Sequence, residues 1–309
     1  MNMKYKKHYT LEEKKQITSI GLVGSGCDIE LPDNIKDILE ENFSNCSNLK
    51  TVKLPNSVNF ISDNAFSHCN NLEKIELPDS IKYIGNNTFY DCISLKEIYL
   101  PNSVETLGRS AFDFCKSLKK IELSNNIKNI KDSTFCQCFS LNEINLPDSI
   151  NCIKNEAFYG CSLLAKINLP NSVESIGSEA FACCESLKEI KLSNSLTVIE
   201  DNAFYNCALL KEITIPKSVK KIGFEAFENC VNLHTIVINA KCKLPDDLLE
   251  GCKNLEKIYI TKESFDLSPY FVDIYIKQIA IIKPPTLDDL LNEGKSLREI
   301  SNIIKEQER

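Results

Sequence analysis

Apolar residues recur two apart in short clusters, and the clusters recur at an interval of 23 residues along most of the chain. The pairs are Ile29/Leu31, Val52/Leu54, Ile75/Leu77, Ile98/Leu100, Ile121/Leu123, Ile144/Leu146, Ile167/Leu169, Ile190/Leu192, Ile213/Ile215, Ile236/Ile238 and Ile258/Ile260. A spacing of two is the signature of a strand with one buried face, so the pattern predicts eleven short strands. Proline usually follows, at Pro55, Pro78, Pro101, Pro147, Pro170 and Pro216. It has no N–H to donate and ends the pairing there.

The rest of the unit is equally regular. A Ser or Asn recurs after the proline position (Asn34, Ser57, Ser80, Ser103, Asn126, Ser149, Ser172, Ser195, Ser218), where short polar side chains satisfy the backbone of stacked turns. Val58-x-x-Ile61 and its equivalents direct apolar groups inward again, and Gly85, Gly108, Gly177 and Gly223 mark a bend. Ala-Phe-x-x-Cys then closes the unit, predicted as a helical or 3₁₀ turn on the outer side. The phenylalanines Phe43 to Phe227 and the cysteines Cys46 to Cys230 each fall at 23-residue steps with no insertion over nine units. A period of this size signals a solenoid, in which no unit buries its faces alone.

The ends depart from the period. Residues 1–28 read as a lead-in, with a capping-box helix from Thr10 to about Ile17 and a Gly21–Gly26 stretch that lacks the spacing of a phosphate loop. Residues 29–262 read as the solenoid. Residues 263–285 read as a C-terminal cap and linker, predicted as a small helical cap from Ser268-Pro269, though the isoleucine-rich run to Ile282 fits a strand as well. Residues 286–309 read as a helical hairpin, opened by Thr286-x-x-Asp289 and Ser296-x-x-Glu299. It stops where a DNA-recognition helix would have to begin.

Composition narrows the function classes. A length of 309 residues alone suggests about two domains, but a stacked array uses most of the chain in one body. The net charge of −7 argues against nucleic acid as a partner. No run approaches the roughly 18 apolar residues of a membrane span. The basic start Lys4-Tyr5-Lys6-Lys7-His8 is not followed by the apolar core of a signal peptide, so the expected location is cytoplasmic. The 15 cysteines are odd in number, and ten, including Cys252, share one repeat position. They read as a column of reduced, buried thiols, because stacked identical side chains point the same way and not at each other. With three scattered histidines (His8, His68, His234) and no paired CxxC motifs, neither a metal site nor a cofactor is expected.

The unit LxxIxLPxSVxxIGxxAFxxC resembles the leucine-rich repeat of the BspA-like type over residues 29 to about 260, a family of bacterial and protozoan surface proteins. Ser, not Asn, fills the ninth position of the commoner repeat, and the next apolar residue (Val58, Val173) comes one place early. The resemblance implies an α/β repeat solenoid: a right-handed leucine-rich-repeat superhelix with a parallel β-sheet on the concave face. It also implies binding of other macromolecules, often from the cell surface.

In such repeats the outward strand positions line the concave face. One column reads Thr51, Lys74, Glu97, Lys120, Glu143, Lys166, Glu189, Glu212, Thr235, Lys257, in which neighbouring strands place Lys beside Glu from Lys74 to Glu189. That ladder reads as a self-neutralised, soluble surface. Interfaces favour exposed aromatics, which singles out Tyr99 with Lys96 and Lys119, and a second cluster of His234, Val237 and Tyr259. No histidine stands near a nucleophile in the repeat frame and no paired carboxylates break the pattern, so no enzyme is expected. The expectation is a monomeric protein-protein interaction scaffold that uses its concave face, with a surface or secreted adhesin as the alternative.

Overall fold

A computed structural model describes residues 27–261 and 279–282. The expected helices near residues 10–17, at the C-terminal cap and in the 286–309 hairpin, and the glycine stretch 21–26, lie outside the described residues.

The chain winds as a parallel β-solenoid of about ten turns. All eleven predicted strands form: β1 (Cys27–Glu30), β3 (Leu49–Lys53), β5 (Lys74–Glu76), β7 (Glu97–Tyr99), β9 (Lys120–Glu122), β11 (Glu143–Ile144), β13 (Lys166–Asn168), β15 (Glu189–Lys191), β17 (Glu212–Ile215), β19 (Thr235–Ile238) and β20 (Lys257–Thr261). Each pairs in parallel one repeat out of step, as in Glu97↔Lys120 and Ile98↔Ile121. The central isoleucine is buried and its neighbours are exposed, the alternation the pattern of twos demands. A twelfth strand, β21 (Ile279–Ile282), pairs in parallel with β20, so this part of the cap is strand rather than helix.

A second ladder lies beyond the proline turn. The strands β2 (Asp37–Ile38), β4 (Phe60–Ile61), β6 (Tyr83–Ile84), β8 (Thr106–Leu107), β10 (Asn129–Ile130), β12 (Cys152–Ile153), β14 (Ser175–Ile176), β16 (Val198–Ile199) and β18 (Lys221–Ile222) are two residues each. Between the ladders, Pro-Asn-Ser-Val forms a tight corner. The Val58 N–H donates to Pro55 O at 3.0 Å, and Ser80 Oγ reaches across to Val58 O in the preceding turn at 2.5 Å. The serine column therefore stitches turn to turn, as do Ser149 to Ile127 O and Ser172 to Ile150 O. Where Ser124 and Ser193 replace the proline they are fully buried, and their hydroxyls donate to Val104 O and Asn171 O.

The outer side corrects one expectation: among the described residues it contains turns and no helix. The reason is a left-handed residue twice per unit, such as Asn64 (φ 56°) and His68 (φ 58°) or Glu179 (φ 56°) and Cys183 (φ 58°). Left-handed backbone interrupts an α-helix. The amides of Ala65, Ser67 and Cys69 close local turns onto Ser62, Asn64 and Phe66, while those of Asn64, Phe66 and His68 donate to Asn86, Thr88 and Tyr90 of the next turn. Half the outer backbone thus bonds within a turn and half between turns.

The core is made of columns. Phe43 to Phe227 are at most 1% exposed and stack with centroids 5.0 to 5.7 Å apart. The cysteines beside them are buried except at the two ends, and from Cys69 to Cys252 each thiol of the column donates to the carbonyl of the preceding turn's phenylalanine, as in Cys115 Sγ to Phe89 O at 3.1 Å. Desolvation pushes the Cys115 and Cys184 thiols far above their ordinary range. A unit such as Leu164 to Cys184 buries Leu164, Ile167, Leu169, Val173, Ile176 and Phe181, each worth about 1.5–3 kcal/mol before chain entropy is subtracted. At Gly177 the turns approach so closely that a Cβ would lie 2.6 Å from Asn155 N.

Candidate functional site

The buried columns hold identical residues in nearly every turn, so recognition falls to the outward positions. On the sheet face these are the flanking residues of each strand. Tyr99, at 54% exposure, is the most exposed aromatic residue of this face among those described. It stands on β7 opposite Glu122 of β9. A shallow depression of about 350 Å³ surrounds it, lined by Lys74, Glu76, Glu97, Lys120 and Glu122. A second, of about 490 Å³, adjoins it across β9 and β11, shares Lys120 and Glu122, and adds Asn125, Glu143, Asn145 and Pro147.

The expected charge ladder forms as a direct pair only at Lys166–Glu189, 2.6 Å apart across β13 and β15. Lys74 turns instead to Glu76 of its own strand at 2.8 Å, and Lys120 to Glu122 at 2.7 Å. The difference lies two residues downstream. Lys74 and Lys120 have a carboxylate there on the same face, whereas Lys166 has Asn168 and reaches across to the next strand. Glu97 and Glu143 act on Lys120 only at longer range, where they help to raise its pKa behind the larger influence of Glu122.

The structure separates the first group of predicted contacts. Lys96 is bonded to Glu73 at 2.6 Å, in a column three residues before Tyr99, which is about 10 Å along an extended strand. Lys119 lies in that same column, its amide bonded to Lys96 O. Tyr99 shares its depression with Lys74 and Lys120 instead. In the second group, Val237 and Tyr259 are directly paired between β19 and β20, and Tyr259 is paired in turn with Ala280 of β21. Both side chains are half-buried. His234 is exposed and apart from them, its ring nitrogen bonded to Asn232 O at 2.5 Å.

The outer side holds one arrangement the sequence reading missed. Asp113 is only 8% exposed, and its Oδ1 has no hydrogen-bond partner. Burial raises its carboxyl to about 6, against the opposing influence of Cys136, Ser110 and the Phe114 amide. Its signal was a carboxylate in a column otherwise filled at neighbouring turns by Tyr90 and Cys136. Among the described residues no group of three or more His, Cys, Asp or Glu side chains is placed to hold a metal ion, and no helix is long and apolar enough to cross a membrane.

A stack of parallel strands, a proline corner and a repeating apolar unit define a leucine-rich-repeat solenoid. The model of the BspA type leucine rich repeat region matches in 6 copies, over residues 25–142 and 128–256. The match spans more than half of the chain, and the protein belongs to that family. Among solved structures it is similar to a leucine-rich repeat protein from Bacteroides ovatus (23% identity, 82% of this chain and 92% of that chain, TM-score 0.42). It is also similar to a leucine rich cell surface protein from Faecalibacterium prausnitzii (24% identity, 75% and 78%, TM-score 0.41) and to the pneumococcal vaccine antigen PcpA (22% identity, 84% and 89%, TM-score 0.43). No curated protein matches the chain.

Proposed function

We propose that this chain binds another protein through the concave sheet and is not an enzyme. The observation that supports this reading is the exposed Tyr99, set beside two adjoining depressions whose exposed rim carries Lys74, Glu76, Glu97, Lys120 and Glu122. Exposed aromatic anchors within a polar surround are what interfaces use. The half-buried pair Val237 and Tyr259 forms a second contact region at the β21 end, with the exposed His234 three residues before Val237 along the chain. The test is affinity capture with the intact chain, repeated with Tyr99→Ala plus Lys119→Glu and, separately, Tyr259→Ala. Each substitution is expected to remove partners from the captured set, and an unchanged set with both variants overturns the reading.

Membership in the BspA type family, whose members often act at the cell surface, favours a surface setting over the cytoplasmic one expected from the N-terminal residues. Labelling intact cells with an impermeant amine reagent tests this. The chain should be labelled before lysis, and labelling only after lysis would return it to the interior.

A further inference from the structure

Both glutamates of the alternating column between β7 and β11 stand between lysines that have turned away. Glu97 lies between Lys74, held by Glu76, and Lys120, held by Glu122. Glu143 lies between Lys120 and Lys166, the latter held by Glu189. Among the described residues neither Glu97 nor Glu143 makes an ion pair of its own. The two depressions are lined by two lysines against four glutamates, and the exposed ring of Tyr99 stands two residues along the strand from Glu97. A surface with excess carboxylate and an open aromatic face complements a cation, most of all a planar guanidinium that can stack on a ring and fork onto a carboxylate.

Spacing sets the form of the ligand. Glu97, Lys120 and Glu143 are in direct register on three hydrogen-bonded strands. Two strand spacings separate the free carboxylates, about 9.6 Å measured across the sheet. A polyproline II segment has three residues per turn and rises about 3.1 Å per residue, so residues i and i+3 lie on one side about 9.3 Å apart. A fully extended strand turns i and i+3 to opposite sides, and its i and i+2 are only about 6.7 Å apart.

We propose that the β7–β11 segment of the concave face binds a basic peptide segment in polyproline II conformation. The segment lies along the solenoid axis, with one arginine between Glu97 and Tyr99 and a second, three residues on, at Glu143. Asn125 and Asn145, exposed at the rim of the second depression, supply amide donors and acceptors to the segment's backbone. This rests on the concave-face reading above and names the chemistry of its partner.

The test titrates fluorescent peptides into the full chain. The probe carries Arg-Pro-Pro-Arg in a Gly/Ser context. Its controls place the arginines two apart (Arg-Pro-Arg), replace them with glutamate, or replace the prolines with alanine, and a neutral oligosaccharide serves as a further arm. Binding of the first probe should exceed that of each control and weaken as salt screens the charges. It should fall about tenfold in Glu97→Gln plus Glu143→Gln, two exposed positions at a fraction of a decade each, and about threefold in Tyr99→Ala. Equal binding of the differently spaced or acidic peptides, retention of affinity in the double variant, or preference for the oligosaccharide overturns the proposal. If the probe fails while Tyr99→Ala plus Lys119→Glu still strips partners in the capture experiment, the concave face stands and only the basic ligand is lost. If that capture and the Tyr259→Ala capture are also unchanged, both readings fall.

Discussion

Asp113 is a buried carboxyl on the outer side whose protonation should govern how stability varies with pH. Its pKa is raised by burial from the ordinary 3.8 to about 6. Because the folded value lies above the unfolded one, the folded state binds more protons between about pH 4 and 6, and stability falls as pH rises through that window. A shift of about 2 units corresponds to about 3 kcal/mol at neutral pH. The Asp113→Asn substitution keeps the shape and removes the charge. We expect it to stabilise the protein by about 1–3 kcal/mol at pH 7.5 and to leave stability within about 0.5 kcal/mol of the parent at pH 4, where Asp113 is already neutral. Urea unfolding followed by circular dichroism at pH 4, 5, 6 and 7.5 reads this as a difference between the two proteins that opens with pH. The Cys136→Ala substitution removes an opposing influence and should steepen the parent's slope. A constant difference across the pH range, or an Asp113→Asn protein less stable at pH 7.5, would refute the reasoning.

Other consequences follow from the columns. Replacing Cys138 by Ala removes the thiol that donates to Phe112 O and should cost about 1–3 kcal/mol in chemical denaturation; a neutral result would mean the thiol is only filler. A thiol reagent should label the half-buried Cys152 and Cys183 of the folded protein well before the fully buried Cys92 to Cys230, which mass mapping of a time course would show. Gly177→Ala forces a Cβ onto backbone and should cost about 3 kcal/mol, whereas Gly160→Ala meets nothing closer than 3.5 Å and bears only its positive φ, about 1 kcal/mol; thermal melts that reverse this order would contradict the geometry. Glu189→Gln breaks an exposed ion pair and should change stability by less than about 1 kcal/mol, with no residual effect in molar salt.

What could be read ahead of the structure follows from where the physics is local. The period of two around Ile75 or Ile167 depends on the strand alone, and all eleven strands are found. The second ladder was missed because Phe60–Ile61 and its equivalents are two residues long, too short to show a period. They become strands only through their neighbours one turn away. Ala-Phe-x-x-Cys reads as a helical turn because its spacing is near a helical repeat. The left-handed residues that prevent a helix are Asn64, Glu156 and Glu179 as well as glycine, and they carry no consistent letter. The charge ladder holds in register and at the Lys166–Glu189 rung, but Lys74 and Lys120 take other partners, since Lys120 chose between Glu97, Glu143 and Glu122 by side-chain reach. Ile279–Ile282 is a short apolar run that periodicity does not assign, and pairing with β20 made it a strand.

The phenylalanine column also acts as a wedge. Its rings repeat at 5.0 to 5.7 Å, while paired strands repeat at about 4.8 Å. Each turn is therefore wider on the phenylalanine side by roughly half an ångström. Eight such increments, between the nine rings, fan the array open on that side and draw the strand side into an arc. Ring thickness, a property of a fully buried residue, thereby sets the radius of the surface presented to a partner. A change that thins one ring of the column should straighten the trough locally and alter which ligands span it, with every surface residue unchanged.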